Sequence, residues 1–139
     1  MSPGEVISIL AVSAADDEIS FLEHFAARSR WKVERVGSCA EAASCLERED
    51  VAVVLCSSQL PDGTWKAVIA EAGAHSCRPP VIVMTAAADD RLWSEVLDSG
   101  GYDVVAKPFD PREVTQVVSL AWRQWHETRV RAGRQTASN

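Results

Sequence analysis

The sequence predicts an α/β fold, a doubly wound five-stranded parallel sheet with helices on both faces. Three observations predict it. Five short apolar runs rich in β-branched residues recur along the chain. Segments with apolar residues at helical spacing lie between them, so each strand is followed by a crossover of the kind parallel strands need. The clearest run, Val51-Ala52-Val53-Val54-Leu55-Cys56, is apolar throughout, the pattern of a strand covered on both faces.

The first strand is the run Val6 to Val12, ending in small residues. Asp16-Asp17-Glu18 opens a helix with Ile19, Leu22, Phe25 and Ala26 on one side; acidic residues suit the positive end of the helix dipole. Trp31 to Val36 is the second strand. Ser38 and Glu41 form a capping box before a helix with Ala42, Cys45 and Leu46. Val51 to Cys56 is the third strand, and Leu60-Pro61-Asp62-Gly63 a turn. Trp65 to Ala72 is a helix ending near Gly73. Val81 to Thr85 is the fourth strand, and Asp89 to Ser99 a helix closed by Gly100-Gly101. Asp103 to Ala106 is the last strand. Asp110-Pro111, an N-cap followed by proline at the first helical position, starts a helix carrying Val114, Val117, Val118, Ala121, Trp122 and Trp125. Right-handed crossovers favour the strand order 2-1-3-4-5, which is flavodoxin-like.

At 139 residues, 47% of them hydrophobic, the chain fits one domain with a full core, expected over residues 1–128. Residues 129–139 are polar and aperiodic and read as a disordered tail or linker. A net charge of −6 argues against nucleic-acid binding by the domain body. No apolar run is long enough to span a membrane, and no basic stretch precedes the first apolar run, so a cytoplasmic protein is expected. Cys39, Cys45, Cys56 and Cys77 form no Cys-x-x-Cys pair. They are expected to be free thiols, with no zinc site and no cofactor.

In an open parallel sheet, chemistry gathers at the carboxyl ends of the strands. Those ends carry Ser13, Ala14 and Ala15; Ser57 and Ser58; Thr85, Ala86 and Ala87; and Lys107-Pro108. They supply hydroxyls, one cation and small residues, and no carboxylate.

Several of these residues fall into a known pattern. Lys107-Pro108-Phe109 after a short strand, Gly100 seven residues earlier, and Asp110-Pro111 opening the last helix resemble the receiver domains of two-component response regulators. Thr85-Ala86 is similar to the family's switch hydroxyl and its small neighbour. Leu60-Pro61-Asp62-Gly63 is similar to the turn after its third strand. The resemblance covers roughly residues 5 to 122. It implies phosphorelay ancestry, a signalling role and no enzymatic activity of the chain's own.

The departures are as informative. The resemblance implies an acidic, magnesium-holding pair after the first strand, and the matching residues are Ser13 and Ala14. It implies a phosphoacceptor aspartate four residues before Pro61, and the match is Ser57. An aromatic relay position on the last strand matches Val104. Magnesium wants carboxylate oxygens, and a serine hydroxyl is a poor nucleophile without a base. A degenerate receiver, working independently of phosphorylation through protein contacts, is therefore expected. Thr85 and Lys107 are the retained switch residues. Lys107 is a leftover solvent-exposed cation, an anion ligand, or a partner of Asp16, Asp17 or Asp62. Two alternatives stay open: a magnesium-dependent phosphorylated switch using Asp16, Asp17 or Asp62, and a small-ligand or anion-binding protein with a pocket at Lys107, Thr85, Ala14, Ala15 and Ala86.

The partner is expected to be a protein: a kinase, an output domain or a second copy. Candidate contact residues are Trp93, Trp122 and Trp125, with Trp125 expected at the surface because the core should be running out there. From Arg123 to Arg134, four arginines face one glutamate, a net +3 that suits a solvated helix end.

Overall fold

The computed structural model describes residues 6–48, 50–75 and 78–137. Its main sheet has strands β1 (Ile7–Val12), β2 (Trp31–Val36), β3 (Val53–Ser57), β4 (Val81–Thr85) and β5 (Asp103–Ala106). All pairings are parallel, in the order β2-β1-β3-β4-β5. This is the predicted doubly wound arrangement. The helices are α1 (Asp16–Ala26), α2 (Cys39–Arg48), α3 (Trp65–Ala74), α4 (Asp90–Asp98) and α5 (Pro111–Ala137).

Alternation along the strands divides the core in two. Leu10, Val12, Val54, Cys56 and Val83 face α2, α3 and α4, where they meet Leu46, Val68, Ile69 and Val96. Ile9, Ala11, Val53, Leu55, Ile82 and Met84 face α1 and α5, where they meet Leu22, Val114, Val118 and Ala121. Every residue of β3 and β4 is buried, which is why those runs carry no polar alternation.

The helix ends follow their caps. Asp89 accepts from the Leu92 N–H at 2.8 Å, and Asp110 from the Arg112 N–H at 2.9 Å. Ser38 accepts from the Glu41 N–H at 3.1 Å, as the capping box requires. After α4, Gly100 takes φ +97°, and a Cβ on Gly101 would lie 2.9 Å from the Val96 carbonyl oxygen. The chain turns there only because neither residue has a side chain.

Three boundaries differ from expectation. The third strand begins at Val53 rather than Val51 and extends to Ser57. The turn at Pro61-Asp62 is flanked by a two-residue antiparallel ladder, Gln59–Leu60 with Gly63–Thr64. And α5 runs on to Ala137, through the stretch from Arg129 that reads as a disordered tail. Arginine, alanine and glutamine are good helix formers, and extending an existing helix avoids the cost of nucleating one. The side chains of Arg129, Arg131 and Arg134 lie outside the described residues, as does Cys77.

Candidate functional site

The topology brings Ser13, Ser57, Thr85 and Lys107 to one edge of the sheet. Val12 is registered with Cys56, Ser57 with Met84, and Thr85 with Ala106. Ser13 and Lys107 directly follow β1 and β5. Ser13, Ser57 and Thr85 are buried, whereas Ala14 is exposed.

The decisive side chain at this edge is one that was not expected there. Glu18, in the first turn of α1, is 1% exposed and points back toward the strand ends. One carboxylate oxygen accepts from the Ser13 hydroxyl. The other lies 2.9 Å from the Lys107 ammonium, which also meets Asp17 at 3.1 Å. Ser13 Oγ in turn accepts from the Ala15 N–H at 3.0 Å, tying the loop before α1. Ser13, Glu18, Lys107 and Asp17 thus form one connected network. Desolvation works against the charge on Lys107. Hydrogen bonds to Glu18 and Asp17 outweigh it and raise the lysine above its usual range. Asp17 is lowered, chiefly by its hydrogen bond to Lys107.

Packing fixes the same junction. Phe21 on α1 lies 4.8 Å, centroid to centroid, from Phe109, two residues past Lys107. Phe25 then stacks near Phe21 and packs on Trp31. The ion pair and the aromatic contact therefore join the same two segments, α1 and the loop after β5.

This corrects one expectation and selects among the three readings of Lys107. The strand ends do have a carboxylate beside them, supplied from the helix. And Lys107 is no solvent-exposed leftover, since its side chain keeps only 23% exposure and pairs with Asp17 and with Glu18. A signal was present: Glu18, Leu22 and Phe25 are spaced for one helical face, and Leu22 is buried.

Asp62 is also committed. Its two oxygens accept from the N–H groups of Cys39 at 2.8 Å and Ala40 at 3.1 Å, the first turn of α2. Those two bonds lower its pKa. Thr85 Oγ1 accepts from the Ala87 N–H at 3.1 Å. Burial pushes the Cys56 thiol up.

The magnesium implied by the sequence resemblance would need free carboxylate oxygens at this edge. Ser13 and Ala14 carry no charge, and the carboxylates of Glu18 and Asp17 are turned onto an ammonium. Among the described residues, no three His, Cys, Asp or Glu side chains are grouped to hold an ion. The residues do not fit the metal.

Of the proposed contact residues, Trp93 is 48% exposed, with its indole N–H donating to Asp103 at 3.2 Å. Leu97 and Leu120 are also exposed. Trp122 and Trp125 instead pack against the α1–α5 core, so the expectation of a surface Trp125 is corrected. The core continues along α5 as far as Trp125, which lies near Val81 at the amino end of β4. There it lines a cleft of about 380 Å³ with Arg78, Pro79 and Tyr102. That cleft is not the ligand pocket expected at Lys107 and Thr85. Val104 is half-buried against the α2–α3 side.

A model of the response regulator receiver domain family matches residues 8–119. The chain belongs to this family. Among curated proteins, this receiver domain is similar to the transcriptional regulatory protein GltR of Pseudomonas aeruginosa. They are 28% identical over 129 residues, covering 91% of this chain and 53% of GltR. It is also similar to the transcriptional regulatory protein SrrA of Staphylococcus aureus, 27% identical over 122 residues, covering 88% of this chain and 50% of SrrA. The chain thus spans about half the length of these relatives. Among solved structures it resembles the signal receiver domain of an HD domain-containing protein from Pseudomonas fluorescens, with a TM-score of 0.84 at 19% identity over 94% of this chain and 97% of that one. It also resembles the receiver domain of the sensor histidine kinase PA1611 from Pseudomonas aeruginosa, with a TM-score of 0.76 at 23% identity over 85% and 98%. That structure has a magnesium ion coordinated in its active-site cleft. These likenesses establish the fold. No helix among the described residues is long and apolar enough to cross a membrane.

Proposed function

We propose that this receiver domain is a degenerate, non-enzymatic signalling module of the cytoplasm that acts by protein contact and independently of phosphorylation. The observation that carries this reading is the Ser13–Glu18–Lys107 network. A phosphoryl group arriving at Ser57 would need an activated nucleophile and cationic stabilisation of the transferring charge. Among the described residues, no base is hydrogen-bonded to the serine hydroxyl. The cation at this edge is engaged by two carboxylates, and those carboxylates are thereby withheld from a metal. Among the alternative acceptors, Asp62 has both oxygens occupied by the start of α2, and Asp17 is paired with Lys107.

The exposed Trp93, Leu97 and Leu120 offer apolar area for a partner. The relatives' names, transcriptional regulatory proteins, support a role in the control of transcription.

The test is intact mass after incubation with magnesium and a small acyl phosphate, with Ser57→Ala in parallel. The expected result is no phosphoryl adduct on either protein. A stoichiometric adduct surviving in Ser57→Ala would move the acceptor to Asp16, Asp17 or Asp62 and revive a metal-dependent switch. One lost in Ser57→Ala would make Ser57 the acceptor.

A further inference from the structure

We propose that the Lys107 ammonium is the resident cation of the strand-end site, and that it keeps divalent metal out of a cluster of oxygens that would otherwise bind it. The reasoning starts from charge. A carboxylate buried as deeply as Glu18 must be neutralised or paired, and here the pairing is internal. Two carboxylates from adjacent positions of α1 converge on one ammonium, Glu18 at 2.9 Å and Asp17 at 3.1 Å. The Ser13 hydroxyl is bonded to the same Glu18. Without the ammonium, two negative charges and a hydroxyl oxygen would share one small region. Asp17 is 67% exposed and leaves that region open to solvent. Hard divalent ions take oxygen donors of this kind.

The cation is also held in place. The contact of Phe21 with Phe109 anchors the segments on either side of the ion pair. A divalent ion would have to displace a tethered charge or bind beside it against repulsion. At a separation of a few ångströms, even solvent-screened repulsion weakens binding by at least about tenfold. The proposal concerns the same edge as the functional reading above, but stands on the ion-pair geometry alone.

The direct test is a titration with Mg²⁺ and Mn²⁺ of the parent, of Lys107→Met, which keeps most of the aliphatic stem, and of Glu18→Gln/Lys107→Met. Melting temperature and tryptophan fluorescence report binding, and circular dichroism reports folding. The expected result is saturable binding by Lys107→Met at least about tenfold tighter than by the parent, lost again in the double variant. If neither the parent nor a folded Lys107→Met binds either ion, the inference is overturned while the phosphorylation-independent reading stands. A parent that binds as tightly as Lys107→Met overturns it too, and also reopens metal-dependent phosphorylation.

A second measurement needs no variant. The chain has three lysines, Lys32, Lys66 and Lys107. Amine acetylation of the parent followed by peptide mass mapping should label Lys107 several-fold more slowly than the exposed Lys32 and Lys66, at a rate that Mg²⁺ does not change. Faster labelling of Lys107 with Mg²⁺ would mean that the metal displaces it from its carboxylates, and the inference would fail.

Discussion

Glu18 is the residue on which the site turns, because it converts a strand-end edge of neutral side chains into a charged, self-satisfied one. Removing one member of such a pair leaves the other buried and uncompensated, whereas removing both can come close to neutral. Lys107→Met should therefore destabilise the fold by about 2–3 kcal/mol, somewhat less than for a fully buried pair because the lysine keeps some exposure. Glu18→Gln should also destabilise, and the double variant should recover much of the loss. Urea denaturation of the four proteins gives the coupling energy directly. Additive losses would mean that the two groups act independently. The pH dependence has a defined sign. Lys107 is raised in the fold, so its contribution is full below the unfolded lysine value and is lost as pH rises through the folded one.

At the scale of elements, α2 shows how a turn can be recruited by a helix it does not adjoin in sequence. Asp62 satisfies the Cys39 and Ala40 N–H groups. Ser38 satisfies Glu41, and the Ser38 carbonyl accepts from Ala42. The N–H groups of Cys39, Ala40 and Glu41, which have no carbonyl partner within the helix, are thereby paired, and Ala42 makes the first bond of the helical ladder. The sequence made the Ser38–Glu41 half of this cap legible, because capping boxes are local. The Asp62 half was not, since it bridges 23 positions and depends on how the turn after β3 folds across. Glu18 was hidden for a related reason: an acidic residue in a first turn is already accounted for by the helix dipole, and only its spacing with Leu22 marks it as inward. Asp62→Ala should lower the melting temperature at neutral pH by a few degrees. Because the carboxyl is lowered in the fold, its contribution is present above the ordinary carboxylate value and lost as pH falls through the folded one. Melting curves of parent and variant should therefore converge in acid, and a gap that stays constant with pH would mean that Asp62 does not act through its charge.

Over the whole molecule, the sheet is far better insulated than the helices that surround it. Strands β1, β3 and β4 are the inner strands, and nearly all of their side chains are buried. Their apolar runs made the topology legible, because a strand paired on both edges and covered on both faces leaves little room for polar residues away from its carboxyl end, where Ser57 and Thr85 sit. Helix α4 stands at the other extreme. It buries only Val96, while Trp93 and Leu97 are exposed. Regions with few buried apolar contacts open at lower free energy than the core. The face proposed to meet a partner thus lies on one of the least anchored helices, which suits a surface that must be ordered or reshaped on binding. Hydrogen exchange followed by mass spectrometry should show α4 exchanging first among α1 to α4, and β1, β3 and β4 last. If α4 were protected as strongly as β3, the helix would be held by contacts beyond Val96. The proposed contact face would then be a rigid platform rather than an adaptable one.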